Sequence, residues 1–123
     1  MVARLVLWGA FSVSAGCGAT IRFLLDGVVS RLLPGSFPLG TMAVNLTGAL
    51  ALGVLDGAAA SDHLVFVCGT GLIGAYTTFS TWMFETQRLT EERQAARATQ
   101  NVVVSVTTGV AAAALGLWIG GGL

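Results

Sequence analysis

Three stretches of this chain, residues 37–55, 64–84 and 98–123, contain no charged side chain at all, and a fourth, 5–25, contains only Arg22. The hydrocarbon core of a bilayer is about 30 Å thick and takes about 20 apolar helical residues to cross. Each stretch is long enough. Four spans are therefore expected at about 2–25, 37–58, 64–87 and 99–119, forming a single domain that takes in nearly the whole 123-residue chain. Charged residues make up 10% of the sequence, against roughly a quarter in soluble domains. The expected fold class is an all-α membrane protein with four transmembrane helices.

The same scarcity of charge excludes several functions. Net charge is zero, so no basic surface is available to attract nucleic acid. Cys17 and Cys68 both fall inside apolar stretches, where they read as small packing residues rather than as a disulfide or a metal site. One histidine and six scattered acids leave little for acid–base or metal chemistry, so an enzyme is not expected. Arg4 before an apolar run, followed by Ser14-Ala15-Gly16-Cys17, has the outline of a cleaved leader with a lipoprotein processing site. Ser14 stands where such sites carry a large aliphatic residue, and the run continues through Ile21, Phe23 and Leu25. A retained first span is the expectation.

Arg31, Pro34 and Gly35 place a surface turn between the first two spans, with Pro38 in the first turn of the second. Glu91, Glu92, Arg93 and Arg97 lie in a polar segment that carries the helix ends beyond the membrane. All six basic residues are arginines, and they are unevenly placed. Arg22, Arg31, Arg88, Arg93 and Arg97 border one side, and Arg4 alone borders the other. The positive-inside rule puts the two arginine-bearing links in the cytoplasm and both termini outside a cell inner or plasma membrane. Ala49 with Gly53, and Gly116 with Gly120, have the four-residue spacing that lets membrane helices approach closely.

Polar residues inside spans must find partners or line wet cavities. Asn45 sits mid-span with Thr41 one turn before it and Thr47 close by; it is either an interhelical hydrogen bond or part of a polar pathway. The third span contains Gly69, Gly71 and Gly74, then Thr77, Thr78, Ser80 and Thr81. Such a run makes a poor regular helix. Either it breaks at membrane depth and frees backbone carbonyls for an ion or water, or it kinks while hydroxyls bond back to preceding carbonyls.

Gly74-Ala75-Tyr76-Thr77-Thr78-Phe79-Ser80-Thr81-Trp82 resembles the G-G-x-T-T-F-S-T-F signature of the CrcB/Fluc fluoride channels. Gly18-Ala19-Thr20-Ile21-Arg22 is similar to that family's G-A-x-x-R, and Gly40-Thr41-Met42-Ala43-Val44-Asn45 to its G-T-x-x-V-N. The resemblance implies a third helix broken near mid-membrane. It also implies an antiparallel dimer with two narrow fluoride pathways and a structural sodium ion at the interface. In that reading the carbonyls of Gly74 and Thr77 bind sodium. Asn45 offers amide hydrogens to fluoride, Thr41 and Ser80 offer hydroxyls, and Phe79 offers the positive edge of its ring. Arg22 becomes a structural or vestibule residue, or else an interfacial anchor, and Glu85 matches a family acid. Passive export of fluoride is then the simplest mechanism, since no coupling device is visible.

Ala75 and Trp82 depart from the signature, and Met83 departs from the serine usual just beyond it. Trp82 retains an aromatic edge and adds an N–H donor but is larger than the family's phenylalanine, which would impair pathways built from it. Some members of the family are paired subunits of fixed, opposite orientation, and the arginine bias fits that arrangement. The partner is then a second, inverted subunit, either a copy or a paired paralogue, embedded in lipid. Two alternatives remain: a non-conducting structural subunit, and a small multidrug-type transporter. The latter needs a membrane-embedded carboxylate, whereas Asp26, Asp56 and Glu85 all lie near span ends.

Overall fold

The structure, a computed structural model, describes residues 1–123 and is entirely helical. Four segments are long and apolar enough to cross a membrane: Val2–Leu32, Leu39–Gly57, Asp62–Glu91 and Ala95–Gly121. We name the helices α1 (Val2–Leu32), α2 (Leu39–Gly57), α3 (62–76), α4 (Phe79–Glu91) and α5 (Ala95–Gly121). The third span is thus two helices, α3 and α4.

Two boundaries differ from the sequence expectation. Helix α1 runs to Leu32 instead of ending near Leu25, so Asp26 and Arg31 are helical and not part of a link. Nothing before Pro34 breaks a helix. At 1.5 Å per residue, 31 residues span about 46 Å, which carries the polar end clear of the core. At the start of α2, Pro38 caps the helix from outside its first turn, with φ −79° and ψ 66°. The polar link between α4 and α5 is a tight turn, closed by Arg93 in the left-handed region at φ 59°. Gln94 N–H bonds the Leu89 carbonyl at 2.8 Å and Arg93 N–H the Thr90 carbonyl at 3.1 Å, so the last carbonyls of α4 are satisfied. Ala59, at φ 51°, closes α2 in the same way, with Ala60 N–H on Leu55 O.

Glycine sets the helix packing. In hydrocarbon there is no hydrophobic drive between helices, so close backbone approach and dispersion must hold them. Helices α2 and α5 meet along Gly53 and Gly57 on one side and Gly116 and Gly120 on the other. A Cβ on Gly53 would overlap the Ala113 carbonyl oxygen, and one on Gly116 the Leu50 carbonyl oxygen. Helix α1 approaches α3 the same way, with Gly18 against the Leu72 carbonyl. Further along that interface Trp8, Phe11 and Phe66 form a cluster, Phe11 and Phe66 stacked at 4.7 Å and Trp8 edge-on to both. On the link side, Arg88 Nη2 donates to the Ser36 carbonyl at 3.2 Å and pairs with Glu85 at 2.6 Å, while Arg97 reaches Ser36 Oγ. The two arginine-bearing links are joined at one end of the bundle.

Candidate functional site

The third span changes character twice. Val65–Ile73 is wound as a π-helix, with bonds five residues apart in place of four. Residues Gly74–Tyr76 return to α-helix, and the helix then stops. Thr77 (φ −78°, ψ 159°) and Thr78 (φ −145°, ψ 122°) are extended, and α4 begins at Phe79. Two consecutive β-branched residues are poor helix formers, and Thr78 is placed to cap α4. Its Oγ1 accepts the Thr81 N–H at 3.2 Å, the N-cap bond favoured at a helix start.

Asn45 holds the break from α2. Its Oδ1 accepts the Thr78 N–H at 2.8 Å, and its Nδ2 donates to the Thr78 carbonyl at 2.9 Å. The amide thus supplies the bonds that an extended residue loses within a helix, at a depth where water cannot. Gly48, one turn further along α2, leaves the room: a Cβ there would overlap the Thr77 methyl group. Of the two readings open for Asn45, the interhelical bond is present, and one Nδ2 hydrogen remains beyond it.

These bonds divert two donors. In a continuous α-helix the Thr78 and Thr81 N–H groups would bond the carbonyls of Gly74 and Thr77. Here Asn45 Oδ1 takes the first and Thr78 Oγ1 takes the second. The carbonyl-bearing end of α3 and the donor-bearing start of α4 therefore meet at the break, one partly negative and the other partly positive. Back-bonding is also present, since Thr77 Oγ1 donates to the Ile73 carbonyl at 3.1 Å. It accompanies the break.

An open groove of about 360 Å³ runs along this face, and Asn45, Gly74, Thr77, Phe79 and Trp82 all line it. Phe79 is 70% exposed, and its ring meets Trp82 edge-on at 5.7 Å. Other residues singled out by the sequence stand apart. Thr41 is 4% exposed, a turn before Asn45, and does not line the groove. Ser80 is exposed, with its Oγ 3.4 Å from Thr78 Oγ1. Glu85 is in the ion pair at the link end, and the half-buried Arg22 has an unpartnered, buried Nε on α1. Thr47 bonds back to Ala43 and meets the Tyr76 hydroxyl at 2.6 Å. No grouping of three His, Cys, Asp or Glu side chains that could hold a metal ion exists.

One polar chain lies outside the sequence reading. Asn101, completely buried on α5, donates to Thr86 Oγ1 at 2.9 Å and accepts from Ser105 at 3.3 Å; Thr86 in turn donates to the Trp82 carbonyl at 2.8 Å. The signal that marks Asn45, an amide in an otherwise apolar span, is equally present at Asn101.

Fold and groove together define a multi-pass membrane protein with a spanning helix opened at mid-depth to expose backbone donors and acceptors. The chain belongs to the CrcB family: residues 9–117 match the model described as "CrcB-like protein, Camphor Resistance (CrcB)". It is 52% identical to the fluoride-specific ion channel FluC 2 of Mycobacterium tuberculosis (strain ATCC 25618 / H37Rv) over 113 residues, 92% of this chain and 90% of the relative. It is 44% identical to the fluoride-specific ion channel FluC 1 of Streptomyces avermitilis over 115 residues, 90% of this chain and 93% of that one. The fluoride channel of Leifsonia xyli subsp. xyli, also named FluC 1, is 43% identical over 91% of this chain and 85% of its own length.

Proposed function

We propose that this chain is a subunit of a passive, fluoride-selective channel that exports cytoplasmic fluoride and so lowers its toxicity. The observation that carries the proposal is the break at Thr77–Thr78, which lies within the groove shared by Asn45, Phe79 and Trp82. Family membership and the names of its relatives supply the ion. Fluoride is small and strongly hydrated, so its pathway must replace water with close donors, none of them strong enough to trap it. The free Nδ2 hydrogen of Asn45 and the ring edge of Phe79, both in the groove, are donors of that kind, and the hydroxyls of Ser80, beside Thr78, and of the buried Thr41, a turn before Asn45, would extend the pathway beyond it. The partly positive start of α4 adds a favourable field.

The carbonyls of Gly74 and Thr77 would hold a structural sodium ion. Their α-helical partners are diverted, Gly74 is exposed, both residues line one groove, and hard oxygen donors suit that cation. A bound cation there adds positive charge beside an anion pathway. Two carbonyls do not fill a coordination sphere, and the groove is open along its length. Both features favour completion by a second subunit facing this one. Inverted pairing would bring equivalent breaks together, and the arginine bias, with both termini outside, favours a fixed orientation and a paired paralogue as partner. Relatives named both FluC 1 and FluC 2 fit such pairing. Arg22 and Glu85 lie toward the arginine-bearing side, as anchor or vestibule.

Vesicles reconstituted with this chain, alone and with its paired paralogue, and loaded first with fluoride and then with chloride, test the reading. Fluoride efflux without chloride efflux is expected, and Phe79→Ala should slow it. Efflux of neither ion would leave a purely structural subunit.

A further inference from the structure

Helix α2 holds the third span at two places, one on either side of Thr77. Asn45 takes the N–H and the carbonyl of Thr78, just past the end of α3. Two residues further along α2, Thr47 Oγ1 lies 2.6 Å from the hydroxyl of Tyr76, in the last turn of α3. The direction of that bond follows from its surroundings. Thr47 Oγ1 is 2.7 Å from the Ala43 carbonyl and 3.1 Å from that of Val44, so its own hydrogen goes to its own helix. Tyr76 is therefore the donor and Thr47 the acceptor. Thr47 is exposed and Tyr76 half-buried. Hydrocarbon offers neither hydroxyl a substitute, which keeps the two together.

We infer that Tyr76, through its bond to Thr47, is a positioning residue for the cation carbonyls of Gly74 and Thr77. The inference rests on the sodium reading above and adds to it what fixes the two carbonyls relative to each other. They belong to different rigid pieces. Gly74 lies in the turn Gly74–Tyr76, and Thr77 is tied to α3 through its N–H and its hydroxyl, both on the Ile73 carbonyl. The Thr77 carbonyl, however, belongs to the peptide whose N–H Asn45 holds toward α2. That peptide is trans, so the carbonyl points the opposite way, away from α2. Only the Thr77 Cα–C bond joins the two pieces, and with Asn45 alone the end of α3 could swing about it. The Tyr76 bond ties that end to α2 as well, and Gly48 admits both neighbours: a Cβ there would overlap the Thr77 methyl and press the Tyr76 ring at 3.3 Å. The angle between the carbonyls is thus set on folding and not on binding, which strengthens binding.

Thermal unfolding of the full assembly in detergent, with sodium exchanged for N-methylglucamine at constant ionic strength, reads sodium binding without any transport assay. A ligand raises the melting temperature once its concentration passes the dissociation constant. Tyr76→Phe and Thr47→Val remove the same bond from opposite ends, and each should move that onset to about fivefold higher sodium, the weight of one interhelical bond in a membrane. The double variant should move it no further than either alone. Thr47→Ser keeps the hydroxyl and should leave the onset in place. A bond that only stiffens the fold would instead lower the melting temperature equally at every sodium concentration. That result, a double variant whose shift compounds the two single ones, or a Thr47→Ser onset displaced as far as that of Thr47→Val, overturns the inference while leaving the sodium site intact. Absence of sodium-dependent stabilisation in the unaltered assembly would overturn the sodium reading, and this inference with it.

Discussion

Helix α2 serves two regions built from opposite materials. Along Gly53 and Gly57 it lies against Gly116 and Gly120 of α5, backbone to backbone, with no side chain between. Along Asn45 and Gly48 it faces Thr77 and Thr78, where the opposing helix has come apart and an amide replaces the missing bonds. Glycine is used in both, for different ends. In the seam it brings two regular helices into dispersion contact; at the break it makes room for an irregular backbone that a polar side chain then satisfies. Irregular backbone at membrane depth persists only where it lines a cavity or is buried in protein. The seam supplies rigidity, and the break supplies chemistry.

Disrupting the seam should have the largest effect. Gly53→Val places a side chain on the Ala113 carbonyl and should cost about 3 kcal/mol, the upper range for overpacking. Thermal unfolding in detergent reads it. Gly109→Ala is the matched control, since nothing lies within 4 Å of the added carbon, and its effect should stay within about 0.5 kcal/mol. Equal losses at both positions would remove the seam from the account. At the break, Gly48→Ala presses a methyl onto Thr77 and should cost about 1–2 kcal/mol, with a larger fractional loss of fluoride efflux than of folded protein. Parallel losses would make Gly48 a packing residue only.

Asn101→Leu cuts the polar chain behind Trp82 and should destabilise by about 1 kcal/mol, since interhelical hydrogen bonds in membranes average near 0.6 and reach 1.7 kcal/mol. The smallest effect is expected at the turns. Arg93→Gly relieves a left-handed residue at φ 59° and should stabilise by about 0.5 kcal/mol after glycine's own entropic cost. A melting temperature unchanged or lowered would count against the strain argument.

Much of this architecture is legible in the residues. Uncharged length discloses the spans, because a bilayer admits few alternatives, and the hydroxyl-rich run after Gly74 marks where the third span is irregular while leaving a break and a kink both open. The end of α1 is not legible, because polar residues past the core look like a link until the nearest helix breaker is weighed against them. The seam is partly visible: the spacings of Ala49 with Gly53 and of Gly116 with Gly120 fall on both of its helices, but in so glycine-rich a chain spacing alone does not pair them. Asn45 reads as a choice between clamp and pathway. Its clamp depends on the extended shape of Thr78, which only the folded backbone displays. Asn101 carries the same signal as Asn45, but no motif surrounds it to draw the eye.

Whether the clamp at Thr78 and the movement of fluoride are one thing decides between a structural break and a working one. Asn45→Leu removes both bonds to Thr78 and the remaining amide hydrogen while preserving bulk. A fluoride electrode recording efflux from vesicles, beside the unaltered chain at equal protein density, should register a rate at least about tenfold lower, the equivalent of one lost charge-assisted bond. Efflux as fast as that of the unaltered chain would contradict the account.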